Sequence, residues 1–123
     1  MKVLVIEDNY YTRDIIIRRL VRRGYQVIAA IDGAQGLHLA HTERPDIILL
    51  DMRLPVMSGF DVARQLKEEA DTCRIPVIAM TAYQIEESRE RALAAGCNDY
   101  ESKPLDFDRL VKKINALLGQ TPP

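Results

Sequence analysis

The sequence predicts an α/β fold in which a parallel β-sheet is covered by helices on both faces. Short runs rich in Val, Ile and Leu recur at "KVLVIE", "YQVIAAI", "DIILLD" and "IPVIAMT", with a weaker one at "NDYESK", and segments of helical length separate them. The runs are apolar at consecutive positions, which marks strands buried on both faces. Strands joined through helices pair in parallel by right-handed crossovers.

Each element has its own signals. The first run, residues 2 to 7, ends in acid, and a helix is expected over 9 to 23, stopped by Gly24. The second run, 25 to 31, leads into a helix over 33 to 44. The third, 46 to 51, stops at Asp51 before the turn-forming "RLPVMSG", and a helix follows over 59 to 71. The fourth, 75 to 81, ends in Thr81; its helix, 85 to 96, is stopped by Gly96 and offers mostly Ala to the core. Burying methyl groups stabilises little, so this helix should be the most weakly anchored. The fifth run, 98 to 103, ends in Lys103, and the last helix, 106 to 118, aligns Phe107, Leu110, Val111, Ile114, Leu117 and Leu118 on one apolar stripe.

Composition limits the function classes. At 123 residues, 47% hydrophobic and 28% charged, the chain reads as one soluble globular domain over 1 to 123, with a core over about 2 to 118 and a short tail from 119 to 123. The 17 basic and 18 acidic residues nearly cancel, so no global field recommends nucleic acid or an anionic membrane as partner. Cys73 and Cys97 lack metal-ligand spacing and read as free thiols, which suits a reducing cytoplasm. Neither a signal peptide nor a run of transmembrane length is present.

Ligands of such sheets gather at the carboxyl ends of the strands. Glu7, Asp8, Asp51, Thr81 and Lys103 all fall there. Three carboxylates packed together repel, and a hard cation such as Mg²⁺ is the usual remedy, leaving room for phosphate oxygens. A carboxylate can itself be the nucleophile of phosphoryl transfer, and Asp51 is the best-placed acceptor. Taken singly, each residue has a plainer reading. Asp8 could cap the first helix, Asp51 could start a turn, Thr81 could be a cap or turn hydroxyl, and Glu7 and Lys103 could simply be solvated. The convergence of all five on one sheet edge favours a site.

The motifs "IEDN", "DMRLPVMSGFD", "MTA", "AAGCNDY" and "KP", in that order, resemble the receiver domain of two-component response regulators, of the stand-alone, chemotaxis-regulator-like kind, over about residues 2 to 118. The resemblance implies a flavodoxin-like, doubly wound (βα)5 fold with strand order 2-1-3-4-5. It implies that Asp51 accepts a phosphoryl group from a sensor histidine kinase or a histidine phosphotransfer protein. Glu7, Asp8, Asp51 and the backbone carbonyl of Arg53 would then hold Mg²⁺. Lys103 would pair with phosphate, and Thr81 and the Ala82 amide would donate to its oxygens. Gly59 would bend the loop after Asp51, the Lys103–Pro104 peptide would be cis, and Tyr100 would be the switch aromatic. Output would pass through the fourth helix, fifth strand and fifth helix to a downstream protein. The chain would be a cytoplasmic monomer or weak phosphorylation-dependent dimer that catalyses only its own phosphorylation and dephosphorylation. Since only "GQTPP" follows Leu118, output is expected through protein contacts or onward phosphotransfer. Arg53 and Tyr83 occupy positions that tune phosphate lifetime in the family, and their bulk is expected to slow hydrolysis.

Other classes fit less well. A phosphohydrolase with an aspartyl-phosphate intermediate wants a second carboxylate two residues after its nucleophile, where this chain has Arg53. A flavodoxin-like nucleotide binder needs a Gly- or Ser/Thr-rich phosphate loop where this chain has "EDNYYT". A phosphate-independent interaction module usually lacks part of the acid and lysine set. Arg18, Arg19, Arg22 and Arg23 read as a solvated face or a partner-docking patch, and His38 and His41 as surface packing. Tyr10 and Tyr11 would line the rim of the site or be partly buried against neighbouring loops.

Overall fold

A computed structural model describes residues 1–82 and 86–119. The elements are β1 (Lys2–Ile6), α1 (Tyr10–Arg22), β2 (Gln26–Ala30), α2 (Gly33–Glu43), β3 (Ile47–Asp51), α3 (Gly59–Glu68), β4 (Val77–Thr81), α4 (Glu86–Ala94), β5 (Asp99–Ser102) and α5 (Phe107–Leu117). The strands form one parallel, flavodoxin-like sheet in the order β2-β1-β3-β4-β5.

Strand alternation divides the core into two layers. Leu4, Ile6, Ile48, Leu50, Val77 and Ala79 pack under α2, α3 and α4. Val3, Val5, Ile47, Leu49, Ile78 and Met80 pack against Ile16 and Leu20 of α1 and Leu110 and Ile114 of α5. Each buried Leu or Ile contributes about 1.5–3 kcal/mol, so these layers hold the scaffold. By contrast α4 buries Ala92, followed by Ala95 just beyond its end, and the Arg91 guanidinium lies 4.1 Å from the Phe60 ring centroid.

The helix ends follow local chemistry. Asn9, rather than Asp8, caps α1, its Oδ1 accepting from the Thr12 amide at 3.0 Å. Asp32, Ser58 and Asp106 cap α2, α3 and α5. Gly24 and Gly96 follow α1 and α4 at φ 92° and 104°, left-handed values that favour glycine. The α3 helix ends at Glu68, short of the expected 71. There the Thr72 hydroxyl donates to the Leu66 carbonyl at 2.7 Å, and a turn replaces further helix.

The arginine face of α1 is partly spoken for. Arg23 pairs with Asp108 at 2.6 Å and holds that carboxyl below its usual range, Arg19 lies over Phe107, and Arg18 pairs with Asp14. Tyr10 and Tyr11 are 63% and 76% exposed and stack edge to face on each other, which disfavours burial against loops, one of the two readings the sequence leaves open for them. No helix of the described residues is long and apolar enough to cross a membrane.

Two predictions arise here. Val56 adopts φ 67° with its side chain fully exposed, a conformation that a β-branched residue reaches only under strain. Relief of about 1–3 kcal/mol of strain, less about 0.5–1 kcal/mol of added unfolded-chain entropy, makes Val56→Gly stabilising by about 1 kcal/mol. Urea denaturation should show the higher midpoint at unchanged slope. Burial pushes the Cys97 thiol up to about 11, against the pull of the neighbouring Lys67 amine. Native Cys97 therefore keeps its proton where the unfolded thiol, near 9.0, has lost it, so its contribution to stability is complete below 9.0 and is lost as pH rises toward 11. At pH about 8, iodoacetamide should alkylate half-buried Cys73 in the native protein and Cys97 only after unfolding, as read by peptide mass mapping.

Candidate functional site

In this strand order β1 lies between β2 and β3, and ligands of doubly wound sheets bind where the order reverses. Ile6 is level with Leu50, so one further residue sets Glu7 beside Asp51. Glu7 and Asp51 are 0% and 4% exposed, whereas Asp8 is exposed. One carboxylate oxygen from each of Glu7, Asp8 and Asp51 lies within 4.8 Å of the others.

Lys103 reaches this group from the end of β5. Its Nζ donates to Glu7 Oε1 at 2.6 Å and stands 3.5 Å from Asp51 Oδ2. Burial and then the adjacent Asp51 carboxyl push Glu7 up to about 7, while Lys103 pulls the other way. One ammonium thus leaves the acidic group short of positive charge. An exposed carboxylate flanked by two buried ones is also a donor set that suits a hard divalent cation.

Backbone contacts fix the loops that carry these groups. The Arg53 amide donates to Asp51 Oδ1 at 3.1 Å, and the Asn9 amide reaches Glu7 Oε2 at 3.5 Å. Arg13 Nη1 donates to the carbonyls of Glu7 and Asp8 at 2.9 and 3.3 Å, clamping the acidic turn from α1. In sequence Arg13 reads as one more surface arginine, and no local signal distinguishes it. A Cβ on Gly59 would lie 2.3 Å from the Asp51 carbonyl oxygen and 2.6 Å from Met52 Cα. Glycine is required there because two backbones touch.

Thr81, 4% exposed, ends β4 with Ala82 after it, and its carbonyl accepts from the Lys103 amide at 2.6 Å. The Lys103–Pro104 peptide bond is cis. A cavity of about 340 Å³ opens between Arg53, Thr81, Ala82, Ser88 and Arg91. Tyr100 lies half-buried on β5. Tyr83 falls outside the described residues. Far from this edge, His41 pairs with Glu69 and stands 3.7 Å from Asp71, acids that the sequence places almost thirty residues away.

A family model described as the response regulator receiver domain matches residues 3–115. The chain belongs to the response regulator receiver family. The receiver is 37% identical over 117 residues to the polar-differentiation response regulator DivK of Brucella anthropi, covering 95% of each chain. Its fold matches the receiver domain of a sensor histidine kinase from Pseudomonas aeruginosa PAO1 with a TM-score of 0.90 and 35% identity, covering 97% of this chain and 98% of that one. That structure has a magnesium ion coordinated in its active-site cleft. The chemotaxis protein CheY4 of Vibrio cholerae matches with a TM-score of 0.88 and 28% identity over 94% of this chain and 97% of that one. The receiver is accordingly a domain of two-component phosphoryl signalling, a switch that works with histidine kinases or phosphotransfer proteins and downstream targets.

Since Gly59 lies against the backbone of Asp51 and Met52, Gly59→Ala should displace the loop after Asp51. The expected cost is about 1–3 kcal/mol, as for other overpacked sites. Urea denaturation measures it, and a stability equal to wild type would show that the loop yields freely.

Proposed function

We propose that this receiver is a Mg²⁺-dependent phosphorylation switch whose acceptor is Asp51. The observation that carries the reading is the meeting of Glu7, Asp8 and Asp51 under the Lys103 ammonium at the switch point of the sheet. An Asp51 carboxylate oxygen attacks phosphorus, the bond from phosphorus to the donor nitrogen breaks, and that nitrogen leaves with the electron pair. An acyl phosphate results. Glu7, Asp8, Asp51 and the Arg53 carbonyl would hold Mg²⁺, which supplies positive charge to the phosphoryl oxygens when bound.

The protein's own groups perform the rest. Lys103, already directed at Asp51, neutralises charge as a compact ammonium. The Thr81 hydroxyl and the Ala82 amide donate to phosphoryl oxygens. Water attack on the acyl phosphate reverses the change, and Arg53 slows it by its bulk. The whole chain acts as one domain, takes its phosphoryl group from a sensor histidine kinase or histidine phosphotransfer protein, and presents α4, β5 and α5 to a downstream protein. It is monomeric or weakly dimeric when phosphorylated. The small anchorage of α4 supports this output surface, because an element held by Ala92 and Ala95 shifts cheaply.

Intact-mass analysis after incubation with acetyl phosphate tests the reading. Wild type should gain one phosphoryl group only when Mg²⁺ is present, and Asp51→Asn should gain none. Labelling of Asp51→Asn at the wild-type level, or no labelling of wild type where another receiver is labelled, would overturn it.

A further inference from the structure

Tyr100 stands on the edge strand β5 and packs against the core layer under α2, α3 and α4. Its neighbour Glu101 points to the opposite face, against α5, and is a carboxylate only 1% exposed. Glu101 Oε1 accepts from Arg109 Nε at 2.7 Å and also pairs with Arg109 Nη2. Oε2 lies 2.8 Å from Lys113 Nζ, yet among the described residues it accepts no directed hydrogen bond. The Lys113 ammonium is its close ion-pair partner, while the hydrogen bond that Lys113 donates goes to a different group.

That group lies on the sheet edge. Lys113 Nζ donates to the Tyr100 carbonyl at 2.6 Å and stands 5.2 Å from the centroid of the Tyr100 ring, with Asp99 Oδ1 at 3.6 Å. The Arg89 guanidinium of α4 lies 5.4 Å from the same centroid. A lysine of α5 therefore crosses the edge strand to the ring that its partner cation on α4 also approaches. A free lysine would not keep such a geometry, because its stem loses rotamer entropy when ordered. The buried Glu101 and the Tyr100 carbonyl hold it there.

We propose that Glu101 and Lys113 are positioning residues for Tyr100. With Arg89 they hold the half-buried ring in its place on the sheet edge and so set how readily this receiver adopts its phosphorylated conformation. The inference rests on Asp51 being the phosphoacceptor and Tyr100 the moving aromatic. Attraction between cation and ring exists only while the ring stays within reach of the two side chains, so it favours the ring position described here over one to which the ring moves on phosphorylation. Weakening it shifts the equilibrium, and by linkage the affinity for a phosphoryl group or its mimic rises.

Calorimetric titration of the full chain with beryllofluoride, a phosphoryl mimic, in the presence of Mg²⁺ tests this in a double-mutant cycle. Lys113→Met keeps the stem and removes the charge, and Tyr100→Leu removes the ring. Lys113→Met should tighten beryllofluoride binding about two- to fivefold in the wild-type background and leave it unchanged in Tyr100→Leu. Glu101→Gln, which frees Lys113, should shift affinity in the same direction. A merely structural role would move the urea midpoint and change affinity equally in both backgrounds. That result, or unaltered affinity in Lys113→Met, overturns the positioning role while wild-type binding leaves the phosphoacceptor reading intact. Absence of binding to wild type itself would overturn both.

Discussion

The constraint on which this receiver depends is the burial of two carboxylates side by side. Glu7 and Asp51 end adjacent strands with almost no access to water, and Lys103 is the ammonium that meets them both. Desolvation and the neighbouring Asp51 disfavour the charge on Glu7, and Lys103 offsets only part of that cost. The neighbouring features serve the same arrangement. Asn9 takes the helix cap and leaves the Asp8 carboxylate to the site, Arg13 clamps the turn, and Gly59 lies against the backbone that follows Asp51. A site held in electrostatic deficit is one that a cation and a phosphoryl group can complete.

The rest of the molecule is unevenly fastened around that site. β1, β3 and β4 are buried along both faces, and α1 and α5 pack large aliphatic side chains against one of them. The α4 helix offers the core little more than alanine, worth about 0.8 kcal/mol for each methyl group buried. Its lateral ties run through arginines laid on the rings of Phe60 and Tyr100. Such contacts hold an element in place at the surface without locking it into the core. The carboxyl edge of the sheet is therefore bounded by a rigid frame on one side and a lightly held helix and edge strand on the other.

Much of this was legible in the chain itself. The first four strands are legible because each is built on a run of Val, Ile, Leu or Ala, whereas the polar β5 gives only a weak signal, and the helix stops are legible because glycine suits the left-handed backbone of Gly24 and Gly96. The polar strand ends were found because a charged residue closing an apolar run is conspicuous. Less legible were choices between equivalent neighbours. Asp8 and Asn9 are both good caps, and only the geometry of the turn assigns that task to Asn9. The α3 end was placed too late because the Thr72 hydroxyl competes for the Leu66 carbonyl, a contact with no periodic signature.

The sequence by itself determined the order and kind of the elements, the two-sided burial of the sheet and the identity of the groups at its carboxyl edge, because these depend on local patterns of polarity. Only the tertiary structure decided which charges meet. Lys103 and Glu7 are 96 positions apart, and Lys113 reaches Tyr100 by rounding an edge strand from the opposite face. His41 finds Glu69 and Asp71 across a helix pair. Contacts of this kind follow from strand order and from the faces that the crossovers assign to each helix, and no local pattern encodes the distances they produce.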